Sequence, residues 1–166
     1  MAKAKFKVEL KMQKGMIQGV QVKRLRLIPD ERGFLMEMLR SDWSEFDKFA
    51  QSYVTACYPM VIKAWHYHKK QWDHFVCVQG MARVVLYDPR EGIPTKGCIN
   101  EFHIGPLNPI LIKIPPMVYH GFTADGNQSA LIVNFPTELY NYEHPDENRV
   151  SYSDPSIPYD WSVRHG

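Results

Sequence analysis

The sequence predicts an all-β protein in which short antiparallel strands form a sandwich or barrel. Short apolar stretches recur along the chain, and several alternate apolar and polar residues with the period of two that strands require. Glycine and proline separate these stretches at spacings typical of antiparallel sheets. With 166 residues, 45% of them hydrophobic, the chain has the size of one domain with one core.

The first strands are predicted from the alternation of apolar and polar side chains. Residues 6–10 alternate, and the pattern returns over residues 17–27. Residues 29–33 combine proline, aspartate and glycine, which predicts a turn. The apolar run at residues 34–39 is compatible with either a strand or a helix.

One short peripheral helix is predicted over residues 41–49, because Ser41 can cap its first turn and Glu45 lies early in it. The later predicted strands cover residues 51–58, 61–68, 75–78, 82–87, 100–104, 110–114 and 130–135. Pro59 lies between the first two of these strands. It predicts a bend or a sheet edge, because proline cannot donate a hydrogen bond to a neighbouring strand.

The last part of the chain has a different composition. Residues 136–166 are rich in tyrosine and proline, which predicts an ordered but irregular arm that packs over the barrel. No repeat or linker marks a second domain, so residues 1–166 are expected to form one.

Charge and cysteine content narrow the function classes. A formal net charge of +2 gives no reason to expect nucleic acid or a membrane as partner. The three cysteines include no C-x-x-C pair, and no apolar run approaches the length of a membrane span. We therefore expect a cytoplasmic protein with reduced thiols.

The segment from Lys63 to Gly80 concentrates the residues that carry chemistry. His66 and His68 are one residue apart, so in an extended strand their side chains point to the same face. Asp73 follows shortly after. The sequence thus predicts a pocket that contains two imidazoles.

This spacing resembles the first motif of the cupin family, with Asp73 in place of the usual glutamate, and His120 resembles the histidine of the second motif. The resemblance implies a site with three imidazoles and one carboxylate, suited to Fe, Mn, Ni or Zn. Its four ligands would be His66, His68, Asp73 and His120.

A closer resemblance covers residues 20–161 and is to the dTDP-4-dehydrorhamnose 3,5-epimerase family, itself a cupin jelly roll. Several short motifs occur in the family's order, which makes the match far more specific than any one motif. They include Asp30-x-Arg32-Gly33-Phe34-x-x-Glu37, Phe49-Ala-Gln51, Lys63-Ala-Trp-His66-Tyr67, Val78-Gln79-Gly80, His120-Gly121-Phe122 and Tyr140-Asn141.

The resemblance implies a double-stranded β-helix or jelly roll, a homodimer with residues 1–40 at the interface, and a nucleotide-sugar substrate that needs no cofactor. It makes His66 the base that removes a proton next to a 4-keto group. Arg32 and Glu37 would hold the nucleotide diphosphate, partly across the dimer. The predicted catalytic residues are His66, His120 and Asp73, and the predicted substrate-binding residues are Arg32, Glu37, Gln51, Lys63, His68, Asn134 and Tyr140.

The chain also departs from the family pattern. Asn134 stands where the family has an acid tyrosine, and Asp73 where it has the lysine that stabilises the enolate. The carboxylate that pairs with the family's base belongs to a C-terminal extension. Met60 and Met117 occupy positions where the cupin motifs have glycine.

Three hypotheses follow. The first is an isomerase that acts on a nucleotide-linked 4-keto-6-deoxyhexose in deoxysugar or surface-polysaccharide biosynthesis, with His66 as general base. The second is a metal-dependent cupin enzyme in which a divalent ion polarises a ketone. The third is a non-catalytic cupin that binds a nucleotide sugar.

Overall fold

The computed structural model describes residues 11–13 and 15–162, which contain thirteen β-strands and no α-helix. The strands are β1 (Lys11–Gln13), β2 (Gln21–Arg24), β3 (Leu27–Asp30), β4 (Gly33–Met36), β5 (Tyr53–Cys57), β6 (Ile62–Tyr67), β7 (Asp73–Gln79), β8 (Met81–Tyr87), β9 (Ile99–Ile104), β10 (Ile110–Ile114), β11 (Tyr119–Asp125), β12 (Ala130–Asn134) and β13 (Asn148–Arg149). Among these residues, no helix is long and apolar enough to span a membrane.

The strands form two large antiparallel sheets and one hairpin. The six-stranded sheet has the order β1-β9-β8-β11-β6-β13, and the five-stranded sheet has the order β2-β10-β7-β12-β5. Strands β3 and β4 pair only with each other. This double antiparallel sheet confirms the predicted all-β jelly roll.

The main core lies between the two large sheets, and the strands alternate into it. In β10, Ile110 and Ile112 enter this core, whereas Leu111 belongs to a second cluster on the outer face of the five-stranded sheet. Because both faces of β10 are covered, the strand is apolar almost throughout. In β8, Val84 likewise faces the main core and Val85 the outer face of the six-stranded sheet.

Two irregular segments cover the outer faces of the sheets. Residues 36–43 pack Leu39 and Trp43 against the five-stranded sheet. The C-terminal arm packs Ile157 and Trp161 against Trp65 on the six-stranded sheet. Over its described residues, 136–162, the arm is irregular except for β13, as predicted.

The predicted helix at residues 41–49 is wrong, because residues 41–45 form turns and residues 46–49 have an irregular backbone. Two successive turns have backbone hydrogen bonds from Trp43 N to Arg40 O and from Phe46 N to Trp43 O. Contacts with the sheet fix this shape: the Glu45 carboxylate pairs with Lys23 at 3.1 Å, and its backbone carbonyl contacts His74 Nε2 at 2.9 Å. These tertiary contacts replace the local bonds that a helix requires.

Other differences concern strand limits. The apolar run at residues 34–39 becomes strand β4 only as far as Met36. The longest element that the sequence did not predict as a strand is β11, which holds His120. The strand predicted at residues 6–10 lies outside the described residues.

Candidate active site

The histidines are placed by the pairing of β6 and β11 in the six-stranded sheet. His66 of β6 lies opposite His120 of β11, and Arg149 of β13 lies opposite His66 on the other side. They border a cavity of about 770 Å³. The cavity is lined by both sheets and by the C-terminal arm, which contributes Tyr140 and Glu147.

Asp73 is the centre of a buried polar network. Its Oδ2 lies 3.2 Å from His68 Nε2 and 3.4 Å from His120 Nε2. Its Oδ1 accepts hydrogen bonds from Gln71 Nε2 at 2.8 Å and from Asn134 Nδ2 at 2.7 Å. A carboxylate with this many partners can remain ionised although it is buried.

The proton in this network resides on His68. Its Nδ1 faces the carbonyl of Asp146 and its Nε2 faces Asp73, so both ring nitrogens are beside acceptors. Burial alone would lower the pKa of His68, but the hydrogen bond and charge of Asp73 outweigh burial and raise the pKa to about 9. At pH 7 His68 is therefore an imidazolium.

His120 is the neutral member of the network. It is only 3% exposed, and burial lowers its pKa to about 4 although the charge of Asp73 acts in the opposite direction. Burial also raises the pKa of Asp73, but its bond to His68 and the nearby imidazoles hold that pKa at about 2. Since His120 is neutral at pH 7, His68 supplies the positive charge that stabilises the carboxylate.

His66 is free to act as a base. Neither of its ring nitrogens has a hydrogen-bond partner among the described residues, and its ring centroid lies 6.3 Å from that of His120. Burial lowers the pKa of His66. The charge of Glu147 acts to raise this pKa, and the charge of Arg149 lowers it further. The imidazole is therefore neutral at pH 7, with an open lone pair at the cavity wall.

Several other predicted site residues also line the cavity. Lys63 donates a hydrogen bond from Nζ to Thr55 Oγ1 at 3.1 Å, which holds a cation at the wall. Gln51 and Tyr140 lie in the lining as well, and the Tyr140 ring packs edge to face against Tyr142.

Arg32 and Glu37 lie outside the cavity of their own chain. Arg32 is an exposed residue in the turn between β3 and β4, where it pairs with Asp30 at 2.6 Å. Glu37 pairs with Arg40, also at 2.6 Å. Their contact with a nucleotide across a dimer stays a prediction.

Asn134 and Asp73 lie behind the cavity wall rather than in it. Asn134 is fully buried and lies opposite Tyr53 in the pairing of β12 with β5. Its Nδ2 donates to the hydroxyl of Tyr53, a residue of the cavity lining, at 2.9 Å. Tyr53 and Glu147 line the cavity but were not predicted as site residues. Tyr53 lies two residues after Gln51 and two before Thr55, so in an extended strand its side chain shares their face, and this spacing is the signal that could have identified it.

Three of the four predicted metal ligands are suitably placed for a cation, namely His68, Asp73 and His120. Both histidines direct Nε2 toward Asp73 Oδ2 and have Nδ1 beside a backbone carbonyl, as metal-binding histidines usually do. Donor separations of 3.2 and 3.4 Å suit metal bonds of about 2.1 Å. His66 is not part of this cluster.

The family model described as dTDP-4-dehydrorhamnose 3,5-epimerase matches residues 14–165. The chain is 46% identical over 153 residues to the "probable low-salt glycan biosynthesis epimerase Agl13" of Haloferax volcanii, covering 90% of this chain and 98% of that protein. It is 42% identical over 148 residues to the spore coat polysaccharide biosynthesis protein SpsL of Bacillus subtilis, covering 89% and 98%.

Among solved structures, a dTDP sugar isomerase from Desulfovibrio desulfuricans G20 superimposes with a TM-score of 0.83 at 36% sequence identity. The match covers 87% of this chain and 92% of that one. The resemblance in sequence motifs, the jelly roll and these matches agree. The chain belongs to the dTDP-4-dehydrorhamnose 3,5-epimerase family and is an enzyme of the isomerase class.

Proposed function

We propose that this protein epimerises a nucleotide-linked 4-keto-6-deoxyhexose in deoxysugar or surface-polysaccharide biosynthesis, with His66 as the general base. The observation that carries the proposal is the neutral imidazole of His66, which lies at the cavity wall with no described hydrogen-bond partner. The names of the two relatives, both from glycan or polysaccharide biosynthesis, support the pathway class.

The chemistry uses the acidity of a carbon next to a ketone. Proton removal there places negative charge on the ketone oxygen, because the enolate is delocalised into the carbonyl. The Lys63 ammonium provides positive charge at the cavity wall, where it would stabilise that oxygen. In this proposal, proton transfer at the carbon uses side chains alone and needs no organic cofactor.

The nucleotide would extend out of the cavity toward a second subunit. We propose a homodimer with residues 1–40 at the interface, in which Gln51 and Tyr140 contact the substrate from one subunit and Arg32 and Glu37 from the other. The exposed apolar residues Phe34 and Leu35 of β4, at 52% and 58%, support an interface on this hairpin. Sedimentation of a monomer at micromolar concentration would contradict the dimer.

The decisive experiment follows proton exchange. The protein is incubated with dTDP-4-keto-6-deoxyglucose in deuterated water, and we expect solvent deuterium at C3 or C5 in the recovered sugar. His66→Asn should abolish the incorporation, whereas His144→Asn, at an exposed position of the arm, should retain it. If the wild-type protein incorporates no deuterium, the epimerase proposal is contradicted. The result would then favour the hypothesis of a cupin that binds a nucleotide sugar without catalysis.

A metal-dependent enzyme is the second candidate, supported by the convergence of His68, Asp73 and His120. A bound Fe, Mn, Ni or Zn ion would supply a Lewis acid for the ketone. In this proposal the two histidines and the carboxylate hold the ion, and Asn134 and Gln71 orient the carboxylate. Metal analysis of protein purified without a nickel column tests this second candidate. We expect stoichiometric metal and a melting temperature that chelation lowers. Metal-free protein that exchanges deuterium normally would exclude a metal-dependent enzyme.

A further inference from the structure

An epimerase that removes a proton from one face of a carbon must return a proton to the other face. His66 projects from β6 of the six-stranded sheet, so the second group must reach the cavity from the opposite wall. Facing sheets lie about 10 Å apart, which leaves room for one sugar ring between the walls. The opposite wall belongs to the five-stranded sheet, which contributes Tyr53, Thr55 and Phe75.

Only one of these three side chains has a proton that it can donate to an enolate carbon. Phe75 has none. Thr55 is an aliphatic alcohol, far too weak an acid, and its oxygen accepts a hydrogen bond from Lys63. Tyr53 is a phenol, with an ordinary pKa near 10.

The contacts of Asn134 direct the Tyr53 hydroxyl. Asn134 Oδ1 accepts from the backbone N–H of His74 at 2.8 Å, which fixes the orientation of the amide. Its Nδ2 therefore donates in both remaining contacts, to Asp73 Oδ1 at 2.7 Å and to the Tyr53 oxygen at 2.9 Å. Because Asn134 can only donate to Tyr53, the phenolic proton is not used in this contact and is available to the cavity.

We propose that Tyr53 is the general acid of the epimerisation and that Asn134 is its positioning residue. The proposal rests on the proposed function. His66 takes the proton from the carbon next to the ketone, and the C–H electron pair becomes the enolate. The enolate carbon then takes the phenolic proton on its other face, so a C–H bond forms as the O–H bond of Tyr53 breaks. Water reprotonates the phenolate and accepts the proton from His66, which completes the cycle.

The electrostatic environment keeps Tyr53 protonated before the step. Burial, together with the charge of Asp73, raises the pKa of Tyr53 to about 12. Tyr140, the other tyrosine of the cavity, belongs to the C-terminal arm, where its ring packs against Tyr142. What distinguishes Tyr53 is its hydroxyl, which is held by Asn134 at 2.9 Å.

The test separates exchange from inversion in one sample. Tyr53→Phe protein is incubated with dTDP-4-keto-6-deoxyglucose in deuterated water, and both the deuterium at the reacting carbon and the fraction of inverted sugar are measured. In this variant His66 still removes the proton and returns deuterium to the same face. We expect exchange within about tenfold of wild type, and inversion at least about 100-fold slower, as is usual when a general acid is lost.

The exchange rate itself shows that the variant is folded. Tyr58→Phe, at an exposed position just after β5, is the matched control and should behave as wild type in both measurements. Asn134→Ala should lower the ratio of the inversion rate to the exchange rate. Because Asn134 acts through Tyr53, combining Asn134→Ala with Tyr53→Phe should give the same ratio as Tyr53→Phe by itself.

Two results would overturn the assignment of Tyr53 alone. One is inversion by Tyr53→Phe within tenfold of wild type, and the other is loss of both exchange and inversion in a variant that keeps the melting temperature of wild type. A wild-type protein that exchanges no deuterium would overturn the proposed function, and the acid assignment with it. The wild-type measurement thus distinguishes the two failures.

Discussion

Met60 and Met117 have the backbone conformation that glycine adopts most easily. Their φ angles are 65° and 64°, at the two positions where the cupin motifs have glycine. Both methionines therefore have a left-handed backbone that glycine would adopt without strain. For a residue with a Cβ, this conformation costs about 1 kcal/mol.

Replacement of Met60 by glycine should accordingly stabilise the protein. The Met60 side chain is 90% exposed, so its loss removes little packing. Relief of backbone strain stabilises the folded state, whereas the greater flexibility of glycine stabilises the unfolded state. We expect the first effect to be larger, so that the free energy of unfolding rises by ~0.5 kcal/mol. Urea denaturation measures this change in the free energy of unfolding. Leu107→Gly is the control, because Leu107 is also exposed, at 89%, but does not have a positive φ, so its replacement by glycine should destabilise the protein. Equal effects of the two changes would contradict the argument.

The pKa of His66 predicts the acid side of the activity profile. Burial lowers that pKa below its ordinary 6.5, so kcat/KM should fall on the acid side in a limb whose midpoint lies below pH 6.5, as His66 becomes protonated. Glu147→Gln removes the charge that raises the pKa and should move this limb to lower pH. Arg149→Gln removes a charge that lowers it and should move the limb to higher pH. Shifts of the same sign in both variants would contradict the assignment of the limb to His66.

Much of the site could be predicted from the sequence, because its signals are local. The spacing of His66 and His68 places both on one face of a strand, and the motif around His120 supplies the third imidazole. Tyr53 could not be found in this way. Its proposed role depends on its position opposite Asn134, and the register between β5 and β12 joins residues far apart in the chain.

At the scale of elements, the pairing of β6 with β11 depends on one glycine. A Cβ at Gly121 would lie 2.3 Å from Ala64 Cβ and 3.0 Å from the Lys63 carbonyl oxygen. The two strands that carry His66 and His120 can therefore approach only if this position lacks a side chain. The register shifts at this same point, between His120 and Phe122.

Gly121→Ala should push β6 away from β11. We expect a loss of about 1–3 kcal/mol in the free energy of unfolding, typical of overpacking, together with reduced proton exchange as His66 moves. The control is Gly92→Ala, where the new methyl group meets open space and only the positive φ of 72° is unfavourable. It should lower stability by about 1 kcal/mol without an effect on exchange. Undiminished exchange by Gly121→Ala would contradict the proposed role of this contact.

The strands were easier to predict than the segments that cover them. The short apolar runs of β8 and β10 are visible in the sequence itself. Residues 41–49, in contrast, satisfy helix rules locally and nevertheless form turns followed by irregular backbone. The bonds from Glu45 to Lys23 and His74 decide their shape, and no local pattern indicates such contacts. Tertiary contacts override propensity most readily in short segments.

In the whole molecule, the polar network joins the two large sheets. His68 follows β6 of the six-stranded sheet, and Asp73 begins β7 of the five-stranded sheet. Their ion pair at 3.2 Å is buried at the base of the cavity, where little water screens it. The network thus contributes to the association of the sheets as well as to the site, and its contribution depends on pH.

The pH dependence has a definite sign. The pKa of His68 is about 9 in the folded protein and about 6.5 when unfolded, so its stabilising effect is complete below pH 6.5 and is lost as the pH rises through 9. Urea denaturation of wild type and His68→Gln should therefore give a difference in unfolding free energy that shrinks by on the order of 3 kcal/mol over this range. In an Asp73→Asn background, where the partner charge is absent, the same replacement should have nearly the same effect at both pH values. A wild-type difference that does not change with pH would show that the proton resides elsewhere in the network.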